Sequence, residues 1–207
     1  MIRILFLAAS ITVLSACGNG NAGGGAATGQ FDSSGFTTET IPGTSYQRAA
    51  KLAADNTLQE EGLLRNGVRE GTWVVYHSGG VFPEKIISYA EGLYNGPYME
   101  FNDRGQLTLR ATYKNNVLDG PWGKYRFGRP EAEANYKNGN FDGAYKEYDG
   151  QSGKLIKEIN YKDGKQHGML RFYNDKGEVT LEYEYKDGEK VGGGIVESAG
   201  GGGESAE

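Results

Sequence analysis

The chain has 207 residues, a formal net charge of −5 at pH 7, 34 glycines and a single cysteine, Cys17. One cysteine excludes an intramolecular disulfide, a redox pair and a cysteine-based metal site. An acidic chain without a basic stretch interleaved with aromatics is not expected to bind nucleic acid, and no cofactor motif is present.

Residues 1–16 are predicted to be a signal peptide. Arg3 precedes an apolar run over residues 4–13, which is too short to span a bilayer as a permanent helix. Leu14-Ser-Ala-Cys17 then resembles the lipobox of bacterial lipoproteins, which implies cleavage before Cys17 and a lipid anchor on its sulfur; the alternative is a buried free thiol. In Gram-negative bacteria, an Asp directly after the lipidated cysteine tends to retain a lipoprotein at the inner membrane. This position is Gly18 here, which favours the outer membrane of the cell envelope if the source is Gram-negative.

Residues 17–44 are predicted to be the lipidated cysteine followed by a flexible tether and linker. Residues 18–29 contain only Gly, Asn, Ala and Thr, which cannot bury enough area to order the backbone. Phe31 to Thr44 has a mixed composition and is interpreted as linker.

A degenerate hairpin is predicted where the folded array begins, at residue 45. Helix propensity favours a helix over Tyr46 to Ala54. Asp55, however, lies 25 residues before Gly80, a turn glycine of the first clear repeat. We therefore expect a hairpin that turns at Asp55-Asn56, with the helix as the alternative.

A motif with a period of 23 to 25 residues then repeats to the end of the array. We call its most regular glycines the anchor glycines, and they are Gly71, Gly96, Gly120, Gly143, Gly168 and Gly192. The slot four residues earlier is also glycine except for Asn116, which is the next best residue type at positive φ. A fixed period of this length predicts a linear array of structural repeats.

Each repeat is predicted to be a β-hairpin. In the second copy, turns at Gly92–Gly96 and Asn102–Gly105 separate a short strand, Pro97–Phe101, from a longer one, Gln106–Tyr113. Along the longer strand, apolar residues alternate with polar ones, so one face of the sheet is expected to be buried and its register fixed.

Aromatic residues follow most anchor glycines at two and five positions. The pairs are Trp73 and Tyr76, Tyr98 and Phe101, Trp122 and Tyr125, and Tyr145 and Tyr148, with Leu170 and Tyr173 in the fifth copy. Because odd spacing places the two on opposite faces, we expect an aromatic ladder on each face. A Cβ at the anchor is expected to press against a neighbouring ring.

The pattern Tyr-x-x-Gly-x-x-x-Gly-x-Trp/Tyr-x-x-Tyr, as in Tyr136 to Tyr148, resembles the MORN-repeat variant of bacterial proteins often labelled YwqK-type antitoxins. The resemblance covers Leu64 to Gly192 and implies an all-β fold: an open, twisted, single-layer antiparallel sheet of tandem hairpins. It also implies a scaffold role without catalytic residues. The lipobox does not fit a cytosolic antitoxin, because a lipid-anchored protein of the cell envelope could not reach a toxin in the cytosol.

The array is predicted to span residues 45–191 and to end where Gly194 and Glu197 replace the aromatics. Residues 192–207 are then expected to be a disordered Gly-rich and acidic tail.

No catalytic, cofactor or metal site is predicted, and the protein is not expected to be an enzyme. His77 and His167 occupy non-equivalent repeat positions, and His167 is interpreted as a solvated loop residue. Calcium binding is an alternative for the loop aspartates, which are Asp103, Asp119, Asp142, Asp163 and Asp187.

Two functions remain open. The first is a protein-interaction scaffold that uses the concave side and edges of the array. The second is carbohydrate or cell-wall binding through rows of aromatics. The solvent exposure of the aromatic side chains discriminates the two functions, because a carbohydrate platform requires open rings. We expect the rings to be core and packed on glycines of the next repeat, and they are Trp73, Tyr98, Trp122 and Tyr145.

Overall fold

The computed structural model describes residues 30–196. Over these residues the chain forms one open antiparallel sheet of 16 strands, so the predicted all-β fold of consecutive hairpins is confirmed. The signal peptide, Cys17, the tether over residues 18–29 and residues 197–207 of the predicted tail lie outside the described residues. Within residues 30–196, no helix is long and apolar enough to cross a membrane.

The strands follow one another across the sheet in chain order. The first eight are β1 (Phe36–Thr40), β2 (Tyr46–Leu52), β3 (Leu58–Arg65), β4 (Val68–Tyr76), β5 (Pro83–Ala90), β6 (Leu93–Phe101), β7 (Leu107–Lys114) and β8 (Val117–Leu118). The remainder are β9 (Gly120–Arg126), β10 (Arg129–Lys137), β11 (Asn140–Phe141), β12 (Gly143–Tyr148), β13 (Leu155–Lys162), β14 (Lys165–Tyr173), β15 (Val179–Lys186) and β16 (Glu189–Ile195). The short strands β8 and β11 pair only with β7 and β10, each directly before a strand that begins with an anchor glycine.

Tight two-residue turns line one border of the sheet. In each of them both central residues have positive φ, as at Asn138 (49°) and Gly139 (81°), which matches the right-handed twist of a hairpin. Each turn is also bonded to the residues that follow the turn before it: the Gly139 amide donates to the Leu118 carbonyl at 2.8 Å, and the Gly164 amide donates to the Phe141 carbonyl at 2.9 Å. The predicted two-residue turns are therefore confirmed, whereas the turn predicted over Gly92–Gly96 is wrong beyond Gly92, because strand β6 begins at Leu93.

Each of the first five anchor glycines lies in a β-bulge. Glu61 pairs with Val74 and Leu63 with Glu70, so Gly62 alone faces the three residues 71–73. The same offset occurs between β5 and β6 and between β13 and β14. The first five anchors have φ values between 66° and 119°, whereas near the sixth the positive φ moves from Gly192 to Gly193. Positive φ is what glycine tolerates and other residues resist.

The predicted clash between an anchor Cβ and a neighbouring ring is wrong. A Cβ built on Gly143 would have only the Asn135 Cβ near it, at 3.7 Å, and one on Gly71 would have no neighbour within 4 Å. The bulge turns the anchor away from the aromatic rows, so the reason for glycine is its backbone angle.

Most of the core lies in one row of side chains that crosses the sheet on one face, which we call the first face; Leu64, Tyr89 and Ala132 are buried beside this row. The row is continuous because each residue contacts its neighbours on the adjacent strands. The row contains Ala49, Gly62, Trp73, Ile87, Tyr98, Ala111, Trp122, Ala134, Tyr145, Ile159, Leu170 and Tyr183. Trp73 is fully buried, and its ring lies on Gly62, where a Cβ would come within 2.2 Å of the indole.

An aromatic ladder covers this row. Ring pairs continue from Phe31 through Trp73 and Tyr89 to Tyr113, and again from Trp122 to Tyr161, with centroids 4.6–6.5 Å apart. The ladder predicted for the opposite face, which we call the second face, is absent from residues 30–196, because every ring pair there lies on the first face. The tyrosines of the second face contact glutamates instead of one another.

Both ends of the array differ from the predicted boundaries. The hairpin at Asp55-Asn56 is confirmed, since β2 pairs with β3. The linker prediction is wrong for residues 36–40, which form β1 against β2 and place Phe36 over Trp73. At the other end β16 extends to Ile195, beyond the predicted limit at residue 191.

Candidate interaction surface on the second face

A second row of side chains crosses the sheet on the second face, and its chemistry changes along the array. It begins with Thr37, Ala50 and Glu61 and continues with Val74, Ile86 and Met99, which are half-buried apolar residues. Beyond them the signs of the charges alternate from strand to strand, with one glycine, Gly123, between the first two. We call this part the charge row, and it consists of Arg110, Glu133, Lys146, Glu158, Arg171 and Glu182.

Cross-strand ion pairs hold the charge row together. Arg110 Nη2 lies 3.0 Å from Glu133 Oε1, reaching across Gly123, which has no side chain. Lys146 Nζ lies 3.8 Å from Glu158 Oε1, and Arg171 Nε donates to Glu182 Oε2 at 2.5 Å. The side chains remain 20–46% exposed, so each pair contributes about 0–1 kcal/mol to stability and can still meet a partner.

Tyrosines five residues past the anchors lie beside the charge row and bind its carboxylates. Tyr148 donates to Glu133 at 2.9 Å, where Tyr125 also donates at 3.3 Å, and Tyr173 donates to Glu158 at 3.0 Å. Burial and the hydrogen bond to Glu133 raise the pKa of Tyr148 to about 12. These tyrosines are therefore neutral donors at physiological pH.

Of the four aromatic residues that were predicted to be core, two are buried and two are half-buried. Trp73 is 0% and Tyr98 4% exposed, while Trp122 and Tyr145 are half-buried. The predicted packing partners are only partly right. Along the array these rings face Ile and Ala side chains, and the one glycine beneath a ring, Gly62 under Trp73, belongs to the preceding strand.

The two histidines lie far apart along the array. His77 Nε2 is 2.9 Å from the Phe101 carbonyl of the next repeat. His167 lies within strand β14 rather than in a loop, so that prediction is wrong, and its Nδ1 is 3.3 Å from Asp187 Oδ1. Each histidine thus contacts the repeat that follows it.

Two of the five loop aspartates, Asp119 and Asp142, link neighbouring turns. Asp119 Oδ2 accepts from the Asn138 amide at 3.0 Å, and Asp142 Oδ2 is 3.4 Å from the Asp163 amide. In the part of the chain that the structure describes, no three His, Cys, Asp or Glu side chains come together as a metal-binding group.

An open groove of about 390 Å³ lies near the beginning of the array, between the turns of the β2–β3 and β4–β5 hairpins. Its polar lining includes Lys51, Asp55, Glu60, Tyr76 and His77. Glu60 is already paired with Arg69 at 2.6 Å, and Tyr76 donates to Glu61. Two polar side chains of the groove, Glu60 and Tyr76, are therefore already held by contacts within the sheet.

Arg69 is a core residue that sequence reasoning missed. It stands two residues before an anchor, where later repeats place Tyr94 or Phe141, and its guanidinium lies 4.3 Å from the Trp73 ring centroid. It also donates to the Tyr89 hydroxyl at 2.8 Å. Comparing residues at this one repeat position would have revealed Arg69 as the exception, and the same comparison on polar positions would have revealed the charge row.

No protein-family model matches the chain, and none of the curated proteins compared with it matches.

Proposed function

We propose that this protein is a membrane-anchored lipoprotein that acts as a non-catalytic repeat scaffold and binds a protein partner at the cell envelope through the charge row and its tyrosines. The resemblance to the MORN-repeat variant supports a scaffold role. Burial of Trp73 and Tyr98 supports the second face as the binding face, because these two first-face rings are occupied in the core.

The observation that carries the proposal is that charged side chains recur at equivalent positions of successive strands on the second face, and tyrosines at equivalent positions of successive repeats. Adjacent strands lie about 4.8 Å apart, so the charge row presents a charge or hydrogen-bonding group at almost every strand over its length. Because the charges alternate in sign, they make binding selective for a partner with the complementary order of charges. Their contribution to affinity is smaller. Such a surface suits an extended partner that makes many weak contacts.

The binding face is tested by two matched double variants in strands β12 and β13. Lys146→Gln with Glu158→Gln removes an ion pair on the second face, and Glu147→Gln with Lys157→Gln removes the adjacent pair, 3.3 Å apart, on the first face. Each keeps the net charge. Partner recovery from detergent-solubilised envelopes should fall roughly tenfold for the first variant and stay unchanged for the second. Equal recovery with both variants would contradict the proposal.

The tyrosine and glutamate pairs of the second face also favour a second candidate, a carbohydrate of the cell wall. Half-exposed Tyr125, Tyr148 and Tyr173 next to carboxylates combine a stacking surface with hydrogen-bond acceptors. Sedimentation with purified cell-wall glycan discriminates the two: retention that is lost in Tyr148→Ala and Tyr173→Ala would favour the glycan.

The membrane anchor rests on Leu14 to Cys17. Cys17→Ser in the full chain should move the protein from the membrane fraction to the soluble fraction. Unchanged retention in the membrane fraction would refute the lipid anchor without affecting the binding-face test.

A further inference from the structure

Within residues 30–196 the sheet does not close, and no described strand pairs with the outer backbone edge of either outermost strand. These strands are β1 at the beginning of the array and β16 at its end. An unpaired edge presents a row of amide and carbonyl groups that can pair with another strand.

Charged side chains can hinder such pairing, and on these edges they are limited to Glu39 of β1 and Glu189 and Lys190 of β16. Neither strand contains proline, and residues 37–40 of β1 are exposed, short and polar. In β16, Gly192 to Gly194 present bare backbone, while Val191 is 57% and Ile195 84% exposed. The Lys190 ammonium lies 3.5 Å from the Tyr183 ring centroid, so it is directed back onto the sheet.

The direction of the two edges fits the addition of a second copy. The hydrogen-bonded path contains 14 strands that alternate in direction, so β1 and β16 run antiparallel to each other. A second copy placed in the same orientation beyond β16 would therefore continue the antiparallel order with its own β1.

The register fits as well, because Phe36 and Ile195 are the two ends of one continuous row. Phe36 pairs with Lys51 at one end, and Leu181 pairs with Ile195 at the other. The paired positions that connect them are Glu60, Val75, Lys85, Glu100, Leu109, Lys124, Ala132, Glu147, Lys157 and Phe172. The core row likewise ends at Thr38, opposite Ala49, and at Gly193, opposite Tyr183.

We propose that β16 of one copy pairs with β1 of a second copy, head to tail, with Ile195 opposite Phe36, Gly193 opposite Thr38 and Val191 opposite Thr40. This register covers the exposed Ile195 with an aromatic residue. It also brings Thr40 to the β-branched Val191, which lies at the β-bulge between Lys190 and Gly192. The preceding segment leaves the β1 edge open, because the Phe31 amide donates to the Gly67 carbonyl at the β3–β4 turn.

An unrelated extended peptide would need only one of these edges. Two edges that agree in direction and row register favour a second copy of the same chain. Because the contact uses different surfaces on the two copies, it does not close on itself and produces an open-ended series of oligomers.

The test uses the mature chain from residue 17 with Cys17→Ser, followed by sedimentation over a range of concentrations. Val191→Lys with Thr40→Lys places two lysines opposite each other in every contact, whereas Val191→Lys with Thr40→Glu places a lysine opposite a glutamate. Both sites are exposed, so folding should be unaffected. We expect the weight-average mass of the parent and of the Lys/Glu variant to rise with concentration past about twice the monomer mass, and the Lys/Lys variant to stay monomeric.

A parent chain that stays monomeric at all concentrations would overturn the proposal. So would an assembly that persists in the Lys/Lys variant, which would place the interface elsewhere, or a mass that stops at the dimer. A peptide of another protein found on the β16 edge, with the parent monomeric, would assign that edge to a different partner.

Discussion

Gly143 has a φ of 106°, and a Cβ built there would have the Asn135 Cβ, 3.7 Å away, as its sole neighbour within 4 Å. The strain of a substitution at this anchor therefore comes from the backbone, and added volume matters little. The same argument covers the other positive-φ anchors, Gly71, Gly96, Gly120 and Gly168.

Gly143→Ala should destabilise the fold by about 1–3 kcal/mol, because alanine resists this backbone angle, and Gly143→Val should cost at least as much. The measurement is urea unfolding. Gly150→Ala is the control, since Gly150 has no unusual φ and no neighbour within 4 Å, and it should change stability by less than about 0.5 kcal/mol. An equal effect of the two alanine substitutions would refute the role of the backbone angle.

Tyr148 links the charge row to the dependence of stability on pH. Burial and Glu133 raise its pKa to about 12 in the folded chain, above the usual value of 10.0. The unfolded chain therefore loses this proton first, and the contribution to stability is present below pH 10 and is lost as the pH rises towards 12.

We expect tyrosinate absorbance to show a group that titrates near pH 12 in the parent and is missing in Tyr148→Phe. Tyr145, whose pKa burial and Glu147 also raise to about 12, remains in both chains, so the comparison depends on the difference between the two curves. Superimposable curves would contradict the assignment to Tyr148.

The strand-to-strand contact of Trp73 with Gly62 shows how neighbouring elements fit. The next repeat places Ile87 at the position of Gly62 and the smaller ring of Tyr98 at the position of Trp73. The larger Ile87 thus faces a smaller ring, so the change at one position is accompanied by a compensating change at the other.

Gly62→Ala should lower stability by about 1–3 kcal/mol, because its Cβ would lie 2.2 Å from the indole. Trp73→Tyr makes room, so the double variant should lose less than the sum of the two single variants in thermal unfolding. Strictly additive losses would mean that the two residues are not coupled through this contact.

Most of the hairpins could be predicted from the sequence because turn residues, strand alternation and the repeat period all indicated the same structure. Strand β1 could not, since Phe36–Thr40 carries no anchor glycine and becomes a strand only by pairing with β2. The contacts of the second-face tyrosines were also missed, because strand register decides that Glu133 and Glu158 lie beside them.

At the scale of the whole molecule, repeats that contact mainly their neighbours should allow removal of one complete unit. The structure indicates which one to remove. Deleting residues 143–167 puts Gly168 in the place of Gly143 and Arg171 opposite Glu133, so the alternation of charge is kept. Deleting residues 120–142 would instead set Arg110 beside Lys146.

The central claim is that many similar contacts along the second face each contribute part of the binding free energy for one extended partner. Its most direct test is the affinity of the deletion variant lacking residues 143–167 for the partner that the parent recovers from envelopes, measured together with circular dichroism. The variant should remain folded and bind roughly tenfold more weakly, because one of several contributions is gone. Complete loss of binding with the fold intact would place the interaction at one localised site and contradict the claim.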